Sequence, residues 1–232
     1  MSTPIGNLED ITLRALRILK EADIIAAEDT RHSRTLLAHY EISTRLVSYH
    51  AFNEHQRTAE LIGQILDGAK VAVISDAGTP GIADPGFLLV REGWKNGIVP
   101  EIIPGVSALT FAAVASGLPI DRFAFYGFLP VKSGRRGTVL AKVVNEDKTV
   151  VIYESPHRLG KLIKELAERL DGSTPVAIVR EATKLHEEII RGGIAEVAEA
   201  VAERSWKGEC VVVVSPHETI GDHATEQEPD QD

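Results

Sequence analysis

The chain has 232 residues, 44% of them hydrophobic, a formal charge of −9 and one cysteine. That is enough chain for one large or two small cored domains. No apolar run reaches the ~18 residues of a membrane span, the start carries no signal-peptide pattern, and a lone Cys210 in an apolar run reads as a buried thiol in a reducing cytoplasm.

The charge is uneven. Residues 216–232 hold six acids and no Lys or Arg, and without those acids the formal charge is −3. This stretch reads as an acidic disordered tail. Net charge therefore does not exclude a nucleic-acid partner, and local basic clusters decide the matter.

In chain order, leucines at helical spacing predict a helix over Thr12–Ala22, followed by a strand at Ile24–Ala27. A helix over Ser33–Tyr40 and a strand over Leu46–Tyr49 come next. Asn53 opens a third helix running to about Asp67, with Gln56 as its capping-box partner. Val71–Ser75 is a strand, Phe87 begins a helix, Glu101–Ile103 is a strand and Val106–Ser116 a helix. Gly117–Asp121 reads as a break.

Beyond the break come a strand at Phe123–Gly127, a helix near Arg136–Val144, a strand at Thr149–Tyr153 and a helix at Pro156–Leu170. A strand at Val176–Arg180, a segment at Glu188–Arg191, a helix at Ile194–Arg204 and a strand at Glu209–Val214 complete the pattern. Strands alternating with helices imply two α/β domains with mostly parallel or mixed sheets. The expected domains are 1–120 and 121–215, with the tail at 216–232.

Several signatures are absent. Gly81 and Gly86 have P-loop spacing, but Phe87 and Leu88 stand where Lys and Ser/Thr belong. No G-x-G-x-x-G or G-x-S-x-G exists. His186-Glu187-Glu188 begins like a zincin, yet position 190 is Ile. No Cys/His pair has metal spacing, so no metal is expected.

What remains is polar, glycine-rich stretches at strand ends and helix starts. The most conspicuous is Ser75-Asp76-Ala77-Gly78-Thr79-Pro80-Gly81-Ile82-Ala83-Asp84-Pro85-Gly86. It exposes backbone groups at the carboxyl end of a strand, where open α/β sheets bind ligands. Others are Thr3–Asn7, Glu28–Arg34, Pro104–Ala108, Glu154–Arg158 and Arg180–Lys184. Taken singly, each is ordinary turn or surface chemistry. Together they fit one crevice.

These stretches, with Phe125–Pro130, resemble the tetrapyrrole-methylase superfamily of S-adenosylmethionine-dependent enzymes, through about Ser215. Within it they resemble the branch that methylates a cytidine 2′-hydroxyl of 16S rRNA in the small ribosomal subunit. The resemblance implies a cofactor cleft between domains and a homodimer. It implies S-adenosylmethionine contacts at Pro4, Ile5, Asp76, Ala77, Gly78, Thr79, Ile82, Ser107, Ala108, Tyr153 and Ala182. It also implies a short apolar strand ahead of Thr3, where only Met1 and Ser2 stand, and a larger apolar residue at Ala182.

A ribose hydroxyl is a weak acid, so a base or oriented hydrogen bond is expected. Candidates are Asp29 and Glu181 first, then Glu28, Glu154 and Asp84. Arg31, Arg34, Arg135, Arg136, Arg158 and Lys184 are candidate RNA contacts, with Lys132 beside them. Lys132, Arg135 and Arg136 also read as a solvated linker. Two other functions stay open: methylation of a tetrapyrrole on the sirohaem or cobalamin route, and a non-catalytic nucleotide-binding module on ribosomes.

Overall fold

The computed structural model describes residues 1–202 and 204–218; most of the predicted tail lies outside them. The chain divides into two compact units, Met1–Ala108 and Leu109 onward. The division falls at the start of a helix that the sequence pattern assigns wholly to the first domain.

Unit 1 is built on a parallel three-stranded sheet, β1 (Ile24–Ala27), β2 (Arg45–Ser48) and β3 (Val71–Ile74), in the order β2-β1-β3. Its helices are α1 (Leu13–Glu21), α2 (Thr30–His39), α3 (Glu54–Leu66) and α4 (Phe87–Lys95). β1 is buried along its whole length because it has a core on each face. Ile25 and Ala27 pack with Leu19, Leu37 and Ile74, while Ile24 and Ala26 pack with Tyr49, Leu61 and Leu89. Two covered faces explain a continuous apolar run rather than an alternating one.

Caps set several helix starts. Thr12 accepts from Ala15 N–H at 3.1 Å and Asp29 from Arg31 N–H at 2.8 Å. The Asp29 cap starts α2 at Thr30, three residues before the predicted start at Ser33. Asn53 does not cap α3. Its Oδ1 accepts from His50 N–H and its Nδ2 donates to Ser48, so the side chain braces the β2–α3 turn instead.

The expected strand at Glu101–Ile103 does not form. Between it and β3 lie only Met1–Thr3, whose N–H groups donate to Val73, Ile103 and Gly78 carbonyls at 2.9, 3.1 and 2.9 Å. A strand exists by pairing along its length. Ser2 N–H makes a single backbone bond to this segment, at Ile103 O, and the segment stays irregular.

Helix α5 (Ala108–Ser116) starts at the boundary, and unit 2 carries a mixed five-stranded sheet, β4 (Phe123–Phe128), β5 (Thr149–Glu154), β6 (Pro175–Arg180), β7 (Glu188–Gly193) and β8 (Cys210–Val214). The order is β4-β5-β8-β6-β7; only β4 and β5 pair in parallel. Helices α6 (Ser133–Val143), α7 (Pro156–Ala167) and α8 (Ile194–Ala202) complete it. On α7, Leu159, Leu162, Ile163 and Leu166 are fully buried against Ile152, Ile178 and Val212. Pro156 opens that helix, where its missing N–H costs nothing. Among the described residues no helix is long and apolar enough to cross a membrane.

Candidate active site

In unit 1 the strand-end loops converge. Thr3 and Gly78 exchange two backbone hydrogen bonds in an isolated antiparallel bridge, and Ser2 Oγ lies 2.8 Å from Thr79 Oγ1. Gly78 has φ +70°, and a Cβ there would press on Ile5 at 3.3 Å. A Cβ on Gly105 would meet Ser2 Cβ at 2.8 Å. The Thr3–Ile5, Ala77–Thr79 and Pro104–Gly105 stretches are thus stitched together at glycines. The loop's second half doubles back, with Gly81 N–H donating to Asp84 O at 3.2 Å. Gly86, at φ +146°, starts α4. Ile82 projects 44% exposed from this turn.

Asp76 leaves the end of β3 and accepts from Asp29 N–H at the end of β1, at 2.9 Å. Glu28 therefore stands in an acidic setting. Burial, then the negative charges of Asp84 and Asp76, raise its carboxyl above the ordinary glutamate value. Asp29 goes the opposite way. Its oxygens serve Arg31 Nε, Nη2 and N–H, and these bonds hold it well below the usual aspartate range.

Glu154, a candidate base at the end of β5, is wholly buried. It takes Arg136 Nη1 at 3.1 Å, Arg158 Nη2 at 2.5 Å and Ser155 N–H at 2.9 Å. Arg136 is 3% exposed and also bonds Glu165 at 2.7 Å. This corrects two expectations. Glu154 has no free face for a substrate proton, and Arg136 is a buried structural cation, neither RNA contact nor solvated linker. Lys132 and Arg135 are exposed just before and within α6, as are Arg31 and Arg34 on α2. Arg158, 26% exposed, also reaches Leu129 O.

Glu181, Thr183 and Lys184 form a tight turn after β6. Glu181 and Thr183 hold left-handed φ values of 51° and 64° around Ala182. Burial alone would raise Glu181. Lys184 and the Glu209 N–H overcome this and hold it low, so it is a weak base. Lys184 is divided between Glu181 and Glu209 at 2.8 and 2.9 Å. Tyr153 packs edge-on against Phe125 and Phe128, with centroids 4.9 and 5.7 Å away. Cys210 is buried, and burial pushes its thiol up to about 11.

Sequence reasoning missed Glu165 as a partner of Arg136, and the link between Asp29 and Asp76. Only the fold pairs positions that far apart.

A donor-binding α/β enzyme fits this arrangement. The Ser75–Gly86 loop has no Lys or Arg, so it is no polyphosphate cradle, and its acidic, backbone-rich face suits a cationic sulfonium. Comparison with known proteins is specific. Residues 2–215 match the family Tetrapyrrole (Corrin/Porphyrin) Methylases. Ribosomal RNA small subunit methyltransferase I of Halalkalibacterium halodurans is 45% identical over 221 residues, 95% of this chain and 76% of the relative. The protein of that name in Thermotoga maritima is 44% identical over 218 residues, 94% of this chain and 97% of the relative.

Among solved structures, uroporphyrin-III-C-methyltransferase from Thermus thermophilus has TM-score 0.65 and 25% identity, covering 93% of this chain and 92% of that one. A Thermus uroporphyrin-III C-methyltransferase complexed with S-adenyl homocysteine has TM-score 0.61 and 23% identity, covering 90% and 92%. The class is an S-adenosylmethionine-dependent methyltransferase. The chain belongs to the tetrapyrrole methylase family.

Proposed function

We propose that this chain methylates the ribose 2′-hydroxyl of a cytidine in the decoding region of 16S rRNA, on the assembled small subunit, in the cytoplasm. The relatives' names support an rRNA substrate. The single observation that carries O-methylation is Glu28. Of the carboxylates singled out in the sequence, Asp29, Glu154 and Glu181 are each paired with a cation. Glu28 makes no ion pair among the described residues, and burial with the charges of Asp84 and Asp76, only partly offset by the Asp76 N–H, raises its carboxyl toward holding a proton.

Bound S-adenosylmethionine supplies a methyl on a positively charged sulfur. Ala77, Gly78 and Thr79, with Pro4, Ile5 and Ile82, offer backbone groups and small apolar surface to hold such a donor. Asp76 fixes that loop against Asp29. Ser107 and Ala108 are proposed beside it, and Tyr153 and Ala182 as further donor contacts. Glu28 takes the 2′-hydroxyl proton as the oxygen–methyl bond forms and the carbon–sulfur bond breaks. In-line positioning supplies much of the rest. Arg31, Arg34, Arg135 and Arg158 are proposed phosphate contacts.

We further propose a homodimer. Phe87, Val90 and Trp94 lie at i, i+3 and i+7 on α4 and are 63%, 39% and 59% exposed, an unpartnered apolar stripe. The deciding assay incubates unmodified small subunits with methyl-labelled donor. Label recovered in 2′-O-methylcytidine is the expected result. Label absent from rRNA, or on a base, overturns the reading.

A further inference from the structure

Unit 2 has an open groove of about 770 Å³ between α7 and α8. Its lining includes the small residues Gly160, Ala167, Ala198 and Ala202. Its α7 wall carries His157, Lys161 and Lys164 at i, i+4 and i+7, a single line with helical turns roughly 5 Å apart. These are the outward positions of the helix whose other face holds Leu159, Leu162 and Leu166.

Lys161 is 60% exposed and only loosely paired, 3.9 Å from Glu165. The Lys164 ammonium has no ion-pair partner among the described residues. At the far end Arg204 is fixed by both oxygens of Glu188, at 2.7 and 2.9 Å, and lies over the Trp206 ring at 4.3 Å. Among the described residues Glu168 is the one acid in the lining, while Glu165 and Glu188 stand against Lys161 and Arg204 from beside it. The basic part of the groove is its α7 wall, where Lys161 is loosely paired and Lys164 has no ion pair among the described residues.

The near end opens at Pro156, two residues past the end of β5. The first turn of α7 contains no acid, so its N–H dipoles add positive potential there. A row of like charges along a trough matches a ligand that repeats its charge.

We propose that the α7–α8 groove seats the sugar–phosphate backbone of an RNA strand, with Lys161 and Lys164 on phosphates. The inference rests on the RNA-methylating reading and adds a docking surface to it. The contacts carry affinity and not sequence preference.

The test compares the full-length protein with Lys161→Gln/Lys164→Gln, and with Lys20→Gln/Lys142→Gln as an equal charge change elsewhere on exposed positions. Binding to a labelled oligocytidylate is followed across a salt series, and donor affinity by calorimetry. Each lysine lost from a phosphate should flatten the slope of log K against log salt by about 0.7, so about 1.4 for the pair. The control pair should leave the slope unchanged, and donor affinity should stay constant in both. Unchanged slopes for the groove variant overturn the proposal. So does weakened binding to small subunits with an unchanged oligonucleotide slope, which makes the groove a protein contact. Because the salt series needs no turnover, it stands apart from the methylation assay, whose failure would strike the proposed activity instead.

Discussion

The Asp29 backbone N–H donates to the Asp76 carboxylate at 2.9 Å, joining the ends of β1 and β3 across 47 residues. Asp76→Ala removes the acceptor and leaves a part-buried N–H unpaired, a cost of about 1–3 kcal/mol. Asp76→Asn keeps an oxygen there and should recover most of that stability in urea titrations. Asp76→Lys adds a cation to the proposed donor face. Calorimetry should then detect no S-adenosylmethionine binding. Retained affinity would remove this loop from the donor site.

Glu28 is the proposed base, so Glu28→Gln should lower kcat by about 10²–10⁴ while donor affinity is kept. The base works ionised, so activity rises with pH through its raised pKa. Burial and the charges of Asp84 and Asp76 set that rise above the ordinary glutamate range. Asp84→Asn deletes one of those charges and should move the acid limb of the pH–rate profile to lower pH. An acid limb unmoved by Asp84→Asn and a normal kcat in Glu28→Gln would together dismiss Glu28.

Arg136 and Glu154 form an ion pair whose side chains are 3% and 0% exposed. Arg136→Met leaves Glu154 with Arg158 alone, and Glu165 without its close partner. Breaking a buried pair from one side costs about 3–5 kcal/mol. Denaturant midpoints should fall accordingly, and Arg136→Met/Glu154→Leu should regain part of the loss. In material that remains folded, RNA affinity should match the parent. A specific loss of RNA binding without loss of stability would return Arg136 to the substrate surface.

The fold was largely legible because its signals are local. The periodicity of α7 and the apolar runs of β1 and β8 name their own structure, and the Ser75–Gly86 loop declares itself by its glycines and prolines. The site was less so. Glu154 and Arg136 look like surface charges in sequence, and only their burial against each other reveals a structural pair. Asp29 looked like the better base than its neighbour Glu28. The difference lies in Arg31 closing on Asp29 while Asp84 and Asp76 face Glu28, and the Asp76 and Asp84 contacts are long-range. Glu101–Ile103 failed for another reason: its residues favour a strand, but a strand also needs neighbours.

The outer edge of β3 gives the last prediction. Ile24 N–H bonds Lys70 O, so in the parallel ladder Val71 and Val73 turn their backbone groups away from β1. They face a cavity of about 590 Å³ whose lining includes Met1, Val71, Val73, Glu101 and Ile103. Its end is held by the Met1 ammonium, which donates to Val73 O at 2.9 Å. Burial lowers that amine from 8.0 to about 6. Between those values the unfolded chain binds the proton and the folded chain does not, so stability falls as pH drops from 8 to 6. The full penalty, about 2–3 kcal/mol, is reached below pH 6. Nα-acetylation removes the titrating group, so the acetylated protein should lose this slope in pH-dependent urea titrations. A few β-branched residues added ahead of Met1 should also raise Tm, by pairing with the free edge of β3. Hydrogen exchange reads the difference directly: the Val71 and Val73 amides should slow in the extended protein and stay fast when the added residues are Gly and Asp.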